Sequence, residues 1–186
     1  VLGIAHSRWA THGGVTEANA HPHVSESRIA LIHNGIIENY LEIRDSLRAK
    51  GYAFVSETDT EVIPHLIHDF VKQGRDLTEA VRLSVRQLAG AYAIVVFDAQ
   101  QPDRIVVARI ASPLVVGFGN GENFVASDVQ ALLPVTRKFI FLEEGDVADV
   151  RRDAVTVFDA EGRVVRRKLH ESSLSADAIG RGEYAH

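Results

Sequence analysis

From residue 90 onward the chain reads as short β-rich runs cut by turns, while helical spacing of apolar residues is confined to the stretch before it. The runs are Ala91 to Phe97, Arg104 to Ile110, Leu114 to Phe118, Phe124 to Ala126, Phe139 to Leu142, Asp146 to Val150, Ala154 to Phe158 and Arg163 to Lys168. Between them Gln101-Pro102-Asp103, Asn120-Gly121, Glu144-Gly145-Asp146 and Glu161-Gly162 supply turn chemistry. Asp128 to Leu133 reads as one or two helical turns. Short turns make such strands antiparallel. With the helices grouped apart from them, the pattern implies an α+β fold in layers and argues against a doubly wound sheet.

The first ninety residues are organised differently. Val1 to Ala5 reads as a buried strand running into a long polar loop, Ser7 to Ser27. Structureless loops of that length are uncommon in compact domains and usually carry function. Arg28 to His33 is a second strand, and Ile37, Tyr40, Leu41, Ile43 and Leu47 fall at helical spacing before a stop at Gly51. Tyr52 to Val55 reads as a short strand. The next helix spans about Asp59 to Gln73, with Thr58 and Glu61 at capping-box spacing and Pro64 early enough to be tolerated. A third helix starts at Asp76, has Glu79 at its own capping-box position and stops at Gly90. Residues 171–186 show no apolar period and read as a linker leading out of a domain that covers residues 1–170.

Composition excludes several classes of function. The 186 residues contain no cysteine, which rules out disulfides, thiolate metal sites and any thiol nucleophile among them. They also contain no methionine, and a chain opening on a strand-like run reads as a fragment. A net charge of −5 leaves no basic patch, so nucleic acid is not an expected partner. The longest apolar runs are strand-sized, so no membrane association is expected, and with no signal-peptide pattern the cytoplasm is the expected compartment. His6, His12, His21, His23 and His33 invite a metal reading, but no carboxylate stands at a familiar ligand spacing, and neither metal nor cofactor is expected.

Four stretches carry the chemistry: Ser7-Arg8-Trp9-Ala10-Thr11-His12-Gly13, Asn19-Ala20-His21-Pro22-His23, His33-Asn34-Gly35-Ile36-Ile37-Glu38-Asn39 and Ser56-Glu57-Thr58-Asp59-Thr60-Glu61. Together and in this order they resemble the glutaminase domain of the glucosamine-6-phosphate synthases, which are class II glutamine amidotransferases. The likeness continues through Arg86 to Tyr92, Ala108-Arg109, Ser112 to Leu114, Glu122 to Asp128 and Phe141 to Asp146. It implies an N-terminal-nucleophile hydrolase type αββα four-layer sandwich, here incomplete because the opening strands are missing. It implies glutamine as substrate and no cofactor. A sugar-isomerase domain binding fructose 6-phosphate would follow in the same chain. The family's nucleophile is an N-terminal cysteine, so the resemblance also implies that this chain alone does not hydrolyse glutamine.

Each matching residue has its own physics and its own plainer alternative. Arg8 would clamp the α-carboxylate of glutamine, since a guanidinium fits a carboxylate bidentately; otherwise it is a surface arginine. Thr11 would add a hydroxyl to the same group, and His12 lies beside it; both could instead serve the loop alone. Trp9 resembles the family's lid tryptophan, although a lone tryptophan is usually core. Asn34 and Gly35 would form the oxyanion hole, where losing one donor costs about 3 kcal/mol of transition-state stabilisation. Asn-Gly between apolar runs is equally a hairpin signal, but Ile36 and Ile37 pass into a helical pattern, which favours the oxyanion reading. Asp59 would accept the α-ammonium, and its alternative is a carboxylate at a helix N-terminus. A second reading makes the chain a binding or assembly module that forms a homodimer through a vacated sheet edge.

Overall fold

The computed structural model describes residues 2–7 and 12–172. Two antiparallel sheets lie face to face. The larger holds seven strands in the order β1-β2-β3-β4-β8-β9-β10. These are β1 (His23–Ser25), β2 (Ile29–Ile37), β3 (Gly90–Asp98), β4 (Arg104–Ile110), β8 (Val147–Arg151), β9 (Val155–Phe158) and β10 (Val164–Val165). The smaller holds β11 (His170–Glu171), β7 (Lys138–Phe141), β5 (Val115–Phe118) and β6 (Asn123–Ala126), in that order. Three helices, α1 (Tyr40–Ala49), α2 (Val62–Lys72) and α3 (Leu77–Val85), cover the outer face of the larger sheet.

The period-two alternation of the strands builds the layers. Along β3, Tyr92, Ile94 and Val96 turn toward the helices, where they meet Ile63, Ile67 and Val81. Ala93 and Val95 turn the other way and pack with Val116, Ile140 and Leu142 of the smaller sheet region. The smaller sheet divides likewise: Val115 and Phe139 face outward onto Leu132 and Leu133, beside the 3-10 turn Val129–Ala131. That turn forms a thin fourth layer. The layer order is therefore α, β, β, α, as expected.

Several local expectations need correction. Residues 2–7 form no strand; Ile4 packs against the cluster between the sheets, so its apolar character serves burial without ladder pairing. β2 continues to Ile37, and α1 begins only at Tyr40, because Ile36 and Ile37 pair with Ala91 and Gly90 of β3. Leu41 of the presumed apolar face is 58% exposed. Tyr52 to Val55 is not a strand either, since the N–H groups of Val55 and Ser56 donate to the carboxylate of Glu61. Glu61 is thereby committed backward, no Thr58 capping box forms, and α2 starts at Val62. The third helix follows its capping-box signal, with Asp76 accepting from the N–H of Glu79. Glu171 pairs with Lys138 in the smaller sheet. Among the described residues no helix is long and apolar enough to cross a membrane.

Candidate active site

The end of β2 supplies the first half of the site. Asn34 and Gly35 are strand residues facing Ala93 and Tyr92 of β3, so the dipeptide makes neither a hairpin nor a helix start. Gly35 has φ +130°, and a Cβ there would lie 2.0 Å from the carbonyl oxygen of Ala91. Only glycine permits so close an approach of the two backbones with that φ. The side chain of Asn34 is held from the other side: His6 Nε2 stands 2.7 Å from Asn34 Oδ1 and must donate, because a carbonyl oxygen only accepts.

The second half is the loop before α2, which hydrogen bonds hold from within. Asp59 is buried, and its Oδ2 accepts the N–H of Ile37 at 2.7 Å, tying the loop to the end of β2. Its Oδ1 lies 3.7 Å from His12 Nδ1, and the His12 ring packs edge-on against Tyr40. Arg44 of α1 donates to the carbonyl of Thr58 at 2.8 Å. Glu61 takes three bonds, from Val55 N–H at 2.9 Å, Ser56 N–H at 2.8 Å and the Ser56 hydroxyl at 2.6 Å. Burial alone would raise its pKa, but these bonds and His65 outweigh it and hold the carboxyl at about 2.

Because a carboxylate only accepts, the polarity of the connected groups follows. Ser56 gives its proton to Glu61, so the Thr58 hydroxyl donates to Ser56 at 3.0 Å, and His23 Nε2 donates to Thr58 at 3.1 Å. On the facing side Thr60 meets His33 Nδ1 at 2.9 Å. Burial drives the pKa of His33 down to about 4, against an opposing pull from Asp59, so the ring is neutral near pH 7. A further clasp closes the long loop: Glu57 accepts from Asn19 Nδ2 at 3.2 Å and Gly14 N–H at 3.3 Å, while Asn19 accepts from Glu57 N–H at 2.9 Å.

These two halves enclose a cavity of about 290 Å³ lined by His6, His12, Asn34, Gly35, Asp59 and Thr60, among others. A second cavity of about 240 Å³ begins at His6 and Asn34 and runs between the sheets past Ala93, Val95, Leu114 and Val125. Of the site residues expected from the sequence, His12, Asn34, Gly35 and Asp59 thus meet in one hollow. Arg8, Trp9 and Thr11 lie outside the described residues. No group of three or more metal-ligating side chains occurs among the described residues. His21 and His23 are packed ring against ring, with centroids 5.0 Å apart. The sequence reading missed Glu61 as the anchor of the Asp59 loop and His6 as the partner of Asn34. Hydrogen-bonding residues flanking Asp59 hinted at the first, and nothing local signalled the second.

Chemically, the hollow offers a buried carboxylate for a cation and an oriented amide for a developing oxyanion. A glutamine–fructose-6-phosphate aminotransferase [isomerizing] of Idiomarina loihiensis is 63% identical over 185 residues, which is 100% of this chain and 30% of that protein. The Escherichia coli K12 protein of the same name is 58% identical over 99% of this chain and 30% of its own length. The chain therefore spans less than a third of these relatives. Among solved structures, a glutamine phosphoribosylpyrophosphate amidotransferase from B. subtilis superposes with a TM-score of 0.67 at 25% identity, over 87% of this chain and 35% of that one. The enzyme described as the allosteric regulatory enzyme of purine biosynthesis does so with a TM-score of 0.63 at 26% identity, over 91% of this chain and 35% of that one. The αββα sandwich is thus of the N-terminal-nucleophile amidotransferase type. The pattern that defines the glutamine amidotransferase domain matches residues 6–134, and the chain belongs to that family.

Proposed function

We propose that these residues form the glutamine-binding part of an enzyme that transfers the amide nitrogen of glutamine to fructose 6-phosphate. The observation that carries the reading is the convergence of Asn34 and Gly35, from β2, and Asp59, from the loop before α2, on one cavity of amino-acid size. In this reading Asp59 accepts the α-ammonium group, and Arg8 and Thr11 hold the α-carboxylate. His12 stands beside Asp59, and Trp9 closes over the ligand. The Asn34 amide and Gly35 N–H stabilise the oxyanion that forms when the side-chain amide is attacked. The relatives named for fructose 6-phosphate support the acceptor, and the chain as far as Glu171, which still pairs into the smaller sheet, would be the glutaminase part of such a protein, with the residues beyond leading toward a sugar-isomerase domain in the cytoplasm.

No thiol occurs among the 186 residues, so the chain by itself should bind glutamine without hydrolysing it. Isothermal titration with L-glutamine and an ammonia-release assay on the same sample test both parts. Saturable heat with no ammonia is the expected result. An absence of binding overturns the pocket assignment, and sustained ammonia release overturns the inertness.

The assembly reading rests on one observation: among the described residues β6, at the edge of the smaller sheet, pairs on one side only, with β5. A second copy pairing there would make a homodimer. Sedimentation equilibrium giving only a monomer at micromolar concentrations removes it.

A further inference from the structure

We infer that His6 is a positioning residue that fixes which way the Asn34 amide points. This deepens the proposed glutaminase reading and rests on it. An asparagine amide can turn over by half a rotation, exchanging its oxygen and nitrogen with little change in shape. Only one orientation presents N–H donors to an oxyanion in the cavity. In the structure Oδ1 is taken by His6 Nε2 at 2.7 Å, and Nδ2 makes no hydrogen bond among the described residues. Turning the amide over would set its NH2 against the N–H of His6, donor against donor. The imidazole therefore selects the orientation in which Nδ2 stays free to donate.

His6 is itself held in place. Its ring lies against His21 with centroids 4.1 Å apart, and His21 meets the ring of His23 at 5.0 Å. His23 bonds to Thr58, whose chain of hydroxyls ends at Glu61. Among the described residues His6 Nδ1 is buried without a hydrogen-bond partner, and an unpaired ring acceptor costs less there than an unpaired N–H, which favours the proton on Nε2, where Asn34 needs it. The loop that carries Asp59 and the strand that carries Asn34 are thereby joined through histidine rings. Substrate binding and oxyanion stabilisation are set by one framework, with His6 as its last member before the reacting atoms.

The test is steady-state glutaminase kinetics on the full-length aminotransferase that contains this chain. His6→Leu, which has no donor, should lower kcat by about tenfold or more, short of the 100- to 1000-fold typical of losing an oxyanion donor outright. KM for glutamine should change by less than about threefold, because the groups that grip its α-substituents are untouched. His6→Gln, whose amide nitrogen can take the place of Nε2, should recover most of the loss. In an Asn34→Ala background His6→Leu should cost less than about twofold, since the amide it orients is gone. Full additivity of the two substitutions, or a His6→Leu effect carried by KM, overturns the assignment of His6 while leaving Asn34 in place. If Asn34→Ala leaves kcat unchanged, the underlying oxyanion reading fails instead. Should His6→Leu not fold, long-range 15N–1H correlation of the unmodified chain reads the His6 tautomer directly. A proton on Nδ1 refutes the inference, and a proton on Nε2 supports it.

Discussion

Replacing Glu61 by alanine removes one carboxylate on which three buried hydrogen bonds end, from Val55 N–H, Ser56 N–H and the Ser56 hydroxyl. Its side chain is only 4% exposed, so little solvent competes for those donors. Each freed donor costs about 1–3 kcal/mol if it stays buried, which sets a gross loss of about 3–9 kcal/mol. Two effects reduce it: the mutant no longer buries a charge, and water can enter the space left by the carboxylate. We expect a net loss of about 3 kcal/mol near pH 7. The pH dependence follows from a folded-state pKa of about 2, well below the ordinary 4.5. The stabilisation is fully present above the unfolded value and is lost as pH falls toward the folded one. Urea unfolding of both proteins at pH 7 and at pH 3.5 is the assay, with the slope checked for constancy. The difference between them should be about 3 kcal/mol at pH 7 and smaller at pH 3.5. A loss under about 1 kcal/mol, or one independent of pH, would refute the claim that Glu61 anchors the Asp59 loop.

Three further predictions follow from the same geometry. Gly35→Ala places a Cβ 2.0 Å from the Ala91 carbonyl oxygen at φ +130°, and should destabilise the fold by more than about 3 kcal/mol; a drop below about 1 kcal/mol in urea unfolding contradicts the tight β2–β3 approach. His33, with its pKa pushed down to about 4 from 6.5, binds its proton more readily in the unfolded chain. Stability should therefore fall by up to about 3 kcal/mol as pH drops from 6.5 to 4, and His33→Gln should flatten that slope; an equally steep profile in the mutant argues against it. Asp59→Asn keeps an acceptor for the Ile37 N–H but loses the charge, and should weaken glutamine binding about 10- to 100-fold by titration calorimetry; unchanged affinity excludes Asp59 from the α-ammonium site.

Much of the larger architecture was legible because strands and helices have different periods. From residue 90 on, the boundaries read from β-rich runs and turn residues lie within a residue or two of β3 through β9. The cap of α3 was equally local, needing only Asp76 and the N–H of Glu79. Errors gathered around the candidate site. Ile36 and Ile37 suit a helix by spacing, yet Ala91 and Gly90 hold them in the ladder. The residues of 52–55 suit a strand, yet the N–H groups of Val55 and Ser56 go to the carboxylate of Glu61, just ahead of the next helix. In each case a partner distant in sequence or a side-chain acceptor outbid local preference.

By itself, then, the order of residues determined the layer type, the strand succession from β3 to β9 and the family, because hydrophobic period and motif order are properties of neighbours along the chain. It also named Asn34, Gly35, His12 and Asp59 as residues to watch. Only the tertiary structure decided that these line one hollow, that His6 grips the oxygen of Asn34, and that Glu61 faces backward to hold the Asp59 loop. Hydrogen bonds between residues separated by tens of positions depend on where the sheets and helices bring them. Burial then strengthens the bonds to Glu61, and neither quantity is visible along a single strand of letters.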